Sequence, residues 1–512
     1  GGGDIDITAD YLEQQSSNGN STIQAGAGNI DVYTGNGGIR LDSISGNTIT
    51  LLTSGGIYEY MADGGIDITA TNLIMTAANG IGSTDALETE VVSLNAHTNT
   101  GNINISNIGD LTIDDFALGT GYGVKNDGGA VNISSTGSID IPGTNADGIY
   151  AGGDITLTAG NNITGGSSGN GITLAESDNG KVTLEAGNDI YLGQNYYSDV
   201  YADGNITLIA GNDINVDAYT SVESDSGDIS FDAGNNINLI TRVSGEKTWI
   251  GADNGILSLT ADNNITIVGA ETDSFDNTYM IAGNNIIIFG NLGVFSGKDA
   301  YLTAGNDVDL GYVDADGLVD ITAGGAITDN NGDDVNIVSD TLNMTAANGI
   351  GSADGLETEV STLSATNTVN DIWIRNNTTV AGNLVIDGRI TNNGGNIRIE
   401  NGLVVFEKGS LNEPVANGGD ITITDLISAS DSVLLYANGS ILDGNNPINP
   451  NALDVEAGDT SALMAFNGTV GTWNDPVEVN ITGDLYVYGS DEDSHYISVM
   501  VNGVVQPRDI LL

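Results

Sequence analysis

The 512-residue chain has no cysteine, 6 prolines, 7 phenylalanines, 3 tryptophans, 2 histidines and only 11 lysines and arginines. Each scarcity removes a class of explanation. Without cysteine there is neither a disulfide framework nor a thiolate metal site, and redox chemistry says nothing about the compartment. No stretch approaches the roughly 20 apolar residues of a membrane-spanning helix, and the opening GGGDIDI is not a signal peptide. With 69 aspartates and glutamates the net charge is −58. A polyanion of that size repels phosphates and anionic lipid, so neither nucleic acid nor membrane insertion is expected. Solubility of a long repetitive molecule and cation binding are the two uses such charge could have.

What is abundant is Ile, Leu, Val, Ala and 73 glycines, which is β-forming material punctuated by turns. The 3.6-residue periodicity of a helix is missing, and one phrase recurs instead: an alternating strand, then AGNN or AGND, then a second alternating strand. The residue after the alanine falls at Gly160, Gly187, Gly211, Gly234, Asp262, Gly283, Gly305 and Gly324, in steps of 19 to 28 that average about 23. Copies that keep the same strand-corner-strand order stack parallel, whereas a meander of hairpins would alternate direction. Within a copy Ile229, Phe231 and Ala233 share one face, and Ile237 and Leu239 the next. The inward residue before each turn is alanine, at Ala159, Ala186, Ala210, Ala233, Ala261, Ala282, Ala304 and Ala323. A small side chain there fits a corner where two sheets approach closely. The glycine that follows is expected to supply φ > 0, and the asparagine to bond the coils above and below.

The expected fold is therefore all-β, a right-handed parallel β-helix of about 20 coils of roughly 23 residues, on the order of 100 Å long at about 4.8 Å per coil. We expect residues 1–512 to form one continuous β-helix. Regular AGND/AGNN coils fill 150–328, and a longer repeat occupies 66–130 and 335–400. Divergent coils fill 401–512.

That longer repeat reads LIMTAANGIGSTDALETEV from Leu73 to Val91 and LNMTAANGIGSADGLETEV from Leu342 to Val360, with a degenerate third copy running from Asn467 to Val479. Together with the AGND coils it resembles the large exoproteins of the filamentous-haemagglutinin, two-partner-secretion type. The resemblance implies a bacterial protein exported to the cell surface or medium and used as an adhesin stalk, matrix component or fibre. Partners implied are copies of itself, adjoining β-helix segments, and cell-surface glycans or matrix. The family's N-terminal secretion motif is not recognisable here.

Candidate chemistry is sparse, and the chain is read as a non-enzyme. A carbohydrate-active β-helix enzyme, lyase or hydrolase, is the alternative, since carboxylates in a groove can act as an acid/base pair. A calcium-dependent glycan-binding module is a third reading. His97 and His495 stand in no ligand or triad spacing. Asp329, Asp333, Asp334, Asp491 and Asp493 put hard oxygen donors in short turns, as Ca²⁺ requires, and equally as exposed acidic turns would. Tyr191, Tyr196, Tyr197 and Tyr201 crowd one insertion, either as a stacking platform or as its cap. Arg375, Arg389 and Arg398 fall close together in sequence. They form a local basic patch or a solvated surface. No catalytic or cofactor-binding residue is assigned. Finally, the chain opens and closes on strand phrases without a capping helix, from which we expect a stretch of a longer or end-to-end assembled fibre.

Overall fold

The computed structural model describes residues 2–15, 21–60, 64–83, 85–167, 171–217, 220–241, 247–376, 382–402, 419–445, 452–472, 475–490, 496–501 and 504–508. Among them every regular element is a strand and none is a helix. The strands wind a parallel β-helix of about 18 turns of ~24 residues, slightly fewer and longer than the AGND spacing alone suggests. Two compact units are distinguished, Gly1–Asp262 with Gly269–Phe275, and Asn263–Val268 with Asp276–Leu512.

In the first unit the repeated phrase forms ladders in register. Strand Ile155–Ala159 pairs with Val182–Ala186, that with Ile206–Ala210, then Ile229–Ala233 and Leu257–Ala261, so each corner alanine lies on the next. The strands after the corner, Ile163–Gly165, Ile190–Leu192, Ile214–Asp217 and Ile237–Ile240, stack in a second ladder. A third ladder precedes the phrase: Asp147–Ala151, Ile172–Ser177, Ser198–Ala202, Ser221–Ser224 and Thr248–Ala252. Each coil thus has three strands. Alternate residues of all three turn inward, and the ladder positions Ile155, Leu157, Leu208, Ile229 and Phe231 have no solvent exposure. At about 1.5–3 kcal/mol for each buried aliphatic side chain, the stacked column of Ile, Leu and Val holds the coils together.

The second unit repeats the arrangement with Thr278–Ala282, Ala300–Ala304 and Leu318–Ala323 in one ladder and Ile286–Phe289, Val308–Leu310 and Ile327–Asp329 in another. Both full copies of the longer repeat form a pair of long strands, Ile68–Ala77 with Leu87–Thr98 in the first unit and Ile337–Ala346 with Leu356–Asn367 in the second. Their registers coincide, with Leu73 opposite Leu94 and Leu342 opposite Leu363. The connecting NGIGS phrase uses left-handed backbone at both glycines in each copy, Gly80 and Gly82 (φ 102° and 59°) and Gly349 and Gly351 (φ 114° and 57°), which is why glycine stands there. Val504–Arg508 turns back antiparallel on Ile497–Val501.

The corner alanines are 1–3 % exposed, but the glycine beside them does not have the positive φ expected of it. Gly160, Gly187, Gly211, Gly234, Gly305 and Gly324 lie outside the left-handed region. Glycine is needed because the coils touch there. A Cβ on Gly211 would sit 2.2 Å from the carbonyl oxygen of Gly187, and one on Gly234 2.3 Å from that of Gly211. The asparagines act as expected, shifted by one residue. Asn212 Nδ2 donates to Asp189 Oδ1 at 2.7 Å, Asn235 Nδ2 to Asp213 Oδ1 at 2.9 Å and Asn306 Nδ2 to Asn285 Oδ1 at 2.9 Å. The accepting Asp or Asn also takes a backbone N–H from the next coil, as Asp213 N–H to Asp189 Oδ1 at 3.1 Å. Ala233→Leu must force a larger side chain into a buried corner between Ala210 and Ala261, and is expected to cost about 1–3 kcal/mol, read as a lowered denaturant midpoint. An unchanged midpoint would contradict the packing.

Candidate functional site

The longer repeat places three polar side chains at one corner of its coil, and it does so in all three copies. In the first, Glu59 ends strand Ile57–Glu59, Asp67 immediately precedes Ile68–Ala77, and Glu88 is the second residue of Leu87–Thr98. Asp67 N–H donates to the Glu88 carbonyl (2.9 Å) and Glu88 N–H to Asp67 Oδ2 (3.0 Å). In the last copy Asp443 ends Ile441–Asp443, Asp454 precedes Val455–Ala457, and Glu478 follows Val477. The same two bonds recur, Asp454 N–H to the Glu478 carbonyl (3.0 Å) and Glu478 N–H to Asp454 Oδ2 (2.8 Å). In each of these triads, one carboxylate oxygen per residue lies within 4.8 Å of the others.

The middle copy has Asp329, Asn336 and Glu357 at these places. Asn336 N–H donates to the Glu357 carbonyl (2.8 Å), Glu357 N–H to Asn336 Oδ1 (2.9 Å), and Asn336 Nδ2 to Asp329 Oδ1 (2.8 Å). Here Arg375 Nη1 stands 2.7 Å from Glu357 Oε1.

The aspartate at the centre of each three-carboxylate corner is buried, while Glu88 and Asp443 are half-buried. Asp67 is 2 % and Asp454 0 % exposed. Burial, with Glu59 and Glu88 adding, pushes the Asp67 carboxyl up to about 8. Burial likewise raises Asp443 to about 7 and Glu478 to about 8, each with its carboxylate neighbours adding, and shifts Asp454 upward. Glu357 is held at about 7 by burial even with Arg375 beside it. Charged, unneutralised carboxylates are costly in such places. Chemically, each three-carboxylate corner can share protons or hold a hard cation. A further group, Glu223, Asp225 and Asp253, is of similar closeness but lies largely in solvent.

Comparison with family models, with curated proteins and with solved structures found no match.

The residues singled out from sequence are distributed rather than gathered. Asp329 belongs to the middle corner, where its carboxylate also accepts the N–H groups of Asn331 (2.9 Å) and Gly332 (3.1 Å). Asp334 Oδ2 accepts from Asn291 Nδ2 at 3.0 Å, and Asp333 is exposed. Asp491, Asp493 and His495 lie outside the described residues. Tyr191 and Tyr201 sit on different ladders, Tyr191 donating to Asp189 Oδ2 at 3.0 Å. Tyr196 and Tyr197 lie in the segment between them, 46 % and 44 % exposed, with the Tyr197 ring against Gly171. His97 Nε2 is 3.1 Å from Asp127 Oδ2, and Lys125 Nζ is 2.9 Å from Asp127 Oδ1. His97 borders an open groove of about 420 Å³ with Tyr33, Leu52 and Thr76. Arg375 and Arg398 come together across Trp373, 4.3 and 4.6 Å from its ring, while Arg389 is exposed on another strand. The corners were not singled out because their members are 7 to 35 residues apart, and only coil winding joins them. The available signal was the acid in the second position of LETEV, repeated as Glu88, Glu357 and Glu478.

Buried acids give the protein a definite pH dependence. Burial raises Asp199 to about 6, with Asp147 and Glu223 adding and the Ser221 N–H and the Tyr201 hydroxyl opposing. Burial raises Glu357 to about 7, with Asp329 and Asp354 adding and Arg375 opposing. Asp140, Asp314 and Asp320 are raised in the same sense. Such groups bind protons more tightly when folded. Their contribution is full below the ordinary carboxylate value of about 4 and is lost as pH rises through about 6 for Asp199 and about 7 for Glu357. Relief of the −58 charge acts in the same direction. In chelator-treated buffer the melting temperature should therefore rise as pH falls from 8 to 5. A fall over that range would contradict the assignment.

Proposed function

We propose that this chain is a structural and adhesive segment of a secreted bacterial cell-surface or extracellular fibre protein, a rigid acidic β-helical spacer that acts through its loops or by packing with copies of itself. The observation that supports this reading is the repetition itself. Inward positions keep the same residue from coil to coil, as Ala159, Ala186, Ala210, Ala233 and Ala261 do, while the segments between ladders vary in length. A fold conserved in its core and variable at its edge is suited to presenting surface. The likeness of the LETEV and AGND phrases to filamentous-haemagglutinin-type exoproteins supplies the extracellular setting. In this reading the acidic corners belong to the scaffold, since their carboxylates face buried backbone N–H groups such as those of Glu88 and Glu478. Incubation with pectin, alginate and neutral polysaccharides should release no product. Release that disappears on replacing a discrete pair of carboxylates would overturn the reading in favour of a carbohydrate-active enzyme.

A further inference from the structure

We propose that the open groove beside His97 binds a neutral oligosaccharide, which lies along the coil axis with one sugar ring stacked on Tyr33. This names a partner for the adhesive role proposed above and rests on that role.

The groove is built by the ladder itself. Tyr33, Leu52, Thr76 and His97 are register partners on four successive coils, so they form one wall that advances by about 4.8 Å at each step. Each strand of that wall pairs with a strand on either side. The spacing of the wall is therefore fixed before any ligand arrives, which lowers the cost of binding. Ser54 and Asn99, both exposed, stand at the rim. The volume of about 420 Å³ falls within the usual span of small-molecule sites, about 300–1,000 Å³.

Charge decides what the groove accepts. The chain carries 69 aspartates and glutamates, yet none of them lines this groove. A basic ligand finds no counter-ion there. At the His97 end the column continues to Lys125, but Asp127 already lies between the two, 3.1 Å from His97 Nε2 and 2.9 Å from Lys125 Nζ. An acidic ligand thus meets no spare positive charge, and the net −58 of the chain repels it. What remains is a neutral ligand.

An extended peptide would need a free strand edge for main-chain bonds, and the wall strands are paired on both sides. A neutral glycan needs apolar surface for the C–H faces of its rings and polar groups for its hydroxyls. Tyr33 and Leu52 are 42 % and 40 % exposed and adjacent in register. Single exposed apolar residues are ordinary, but these two make a continuous strip on a groove wall. The tyrosine ring adds a flat apolar face with a hydroxyl at its tip. Thr76, Ser54 and Asn99 place two hydroxyls and an amide around the strip.

The test is isothermal titration calorimetry of the full chain with cellohexaose, laminarihexaose, maltohexaose, mannohexaose and chitohexaose, and with hexagalacturonate as the acidic counterpart. At least one neutral hexasaccharide should bind at a single site, and hexagalacturonate should bind about tenfold more weakly or not at all. Tyr33→Ala should weaken binding about tenfold, while Tyr33→Phe keeps most of it. Asn99→Ala, at the exposed rim, should weaken it several-fold and keeps the test decisive if circular dichroism shows that Tyr33→Ala does not fold. Tyr279→Ala, on a distant coil, should leave the affinity unchanged. No binding of any neutral hexasaccharide at millimolar concentration, equal binding of hexagalacturonate, or an affinity unmoved by the Tyr33 and Asn99 changes would overturn the proposal. Absence of binding would remove the glycan site and leave a surface location untouched, whereas a cytoplasmic location with binding intact would remove the adhesive role alone.

Discussion

Phe231→Ala is expected to lower the unfolding free energy by about 3–5 kcal/mol, the largest loss foreseen for any single core change. Among the described residues Phe231 is the largest fully buried side chain. It lies in register between Leu208 below and Leu259 above. Those neighbours cannot close the gap without leaving their own ladder positions, because parallel pairing fixes Leu208 on both sides and ties Leu259 to the coil of Phe231. In a stack of repeats the loss is carried by one coil and its immediate neighbours. Besides a lower denaturant midpoint, we therefore expect new proteolytic cleavage confined to about one coil on either side of 229–233. A change below about 1 kcal/mol, typical of surface substitutions, would contradict the inward placement.

A comparable loss is expected from Asn376→Ala, although no apolar surface is at stake. Asn376 is 1 % exposed. Its Oδ1 accepts from Thr358 Oγ1 (3.0 Å) and the Val360 N–H (2.9 Å), while its Nδ2 donates to the Val360 carbonyl (3.1 Å) and to Asn401 Oδ1 (2.9 Å). The side chain thereby supplies the bonds that the backbone needs where the long strand bends between two faces. Asn107 does the same in the first copy, accepting from Thr89 Oγ1 (2.9 Å) and the Val91 N–H (3.0 Å). Removing it strips hydrogen bonds from buried groups at about 1–3 kcal/mol for each one left unsatisfied, so a total of at least about 3 kcal/mol is expected. Asn376→Asp, which keeps the acceptor and loses the donors, should fall between wild type and alanine. Equal melting of all three proteins would contradict the role.

Two of the three ladders were legible in the sequence because two or more aliphatic residues alternate in each strand, as Ile206 and Leu208 or Ile237 and Leu239 do. The third was not. Its strands contribute little aliphatic pattern, a single Val200, Val222 or Ile250 each, and fill the remaining inward places with Ser198, Ala202, Ser224, Thr248 and Ala252. Small and hydroxyl side chains occupy the inward places there, so the apolar period-2 signal fades although burial still alternates along the strand. The corner glycines were read for the right place and the wrong reason. Turn chemistry suggests φ > 0 from local sequence, whereas the close approach of Gly187 and Gly211 is a contact between residues 24 apart. The acidic corners were hidden for the same reason of distance, and also because the copy with the clearest sequence match to the first is the one with Asn336 and Arg375 in place of aspartate and serine.

The proposed role as an exported surface or fibre segment is tested most directly by immunogold electron microscopy of intact, unpermeabilised producing cells, with antibody raised against the purified chain. Label on the outer surface, or along filaments extending from it, is the expected result. Label that appears only after the cells are opened, and then lies within the cytoplasm, would contradict it.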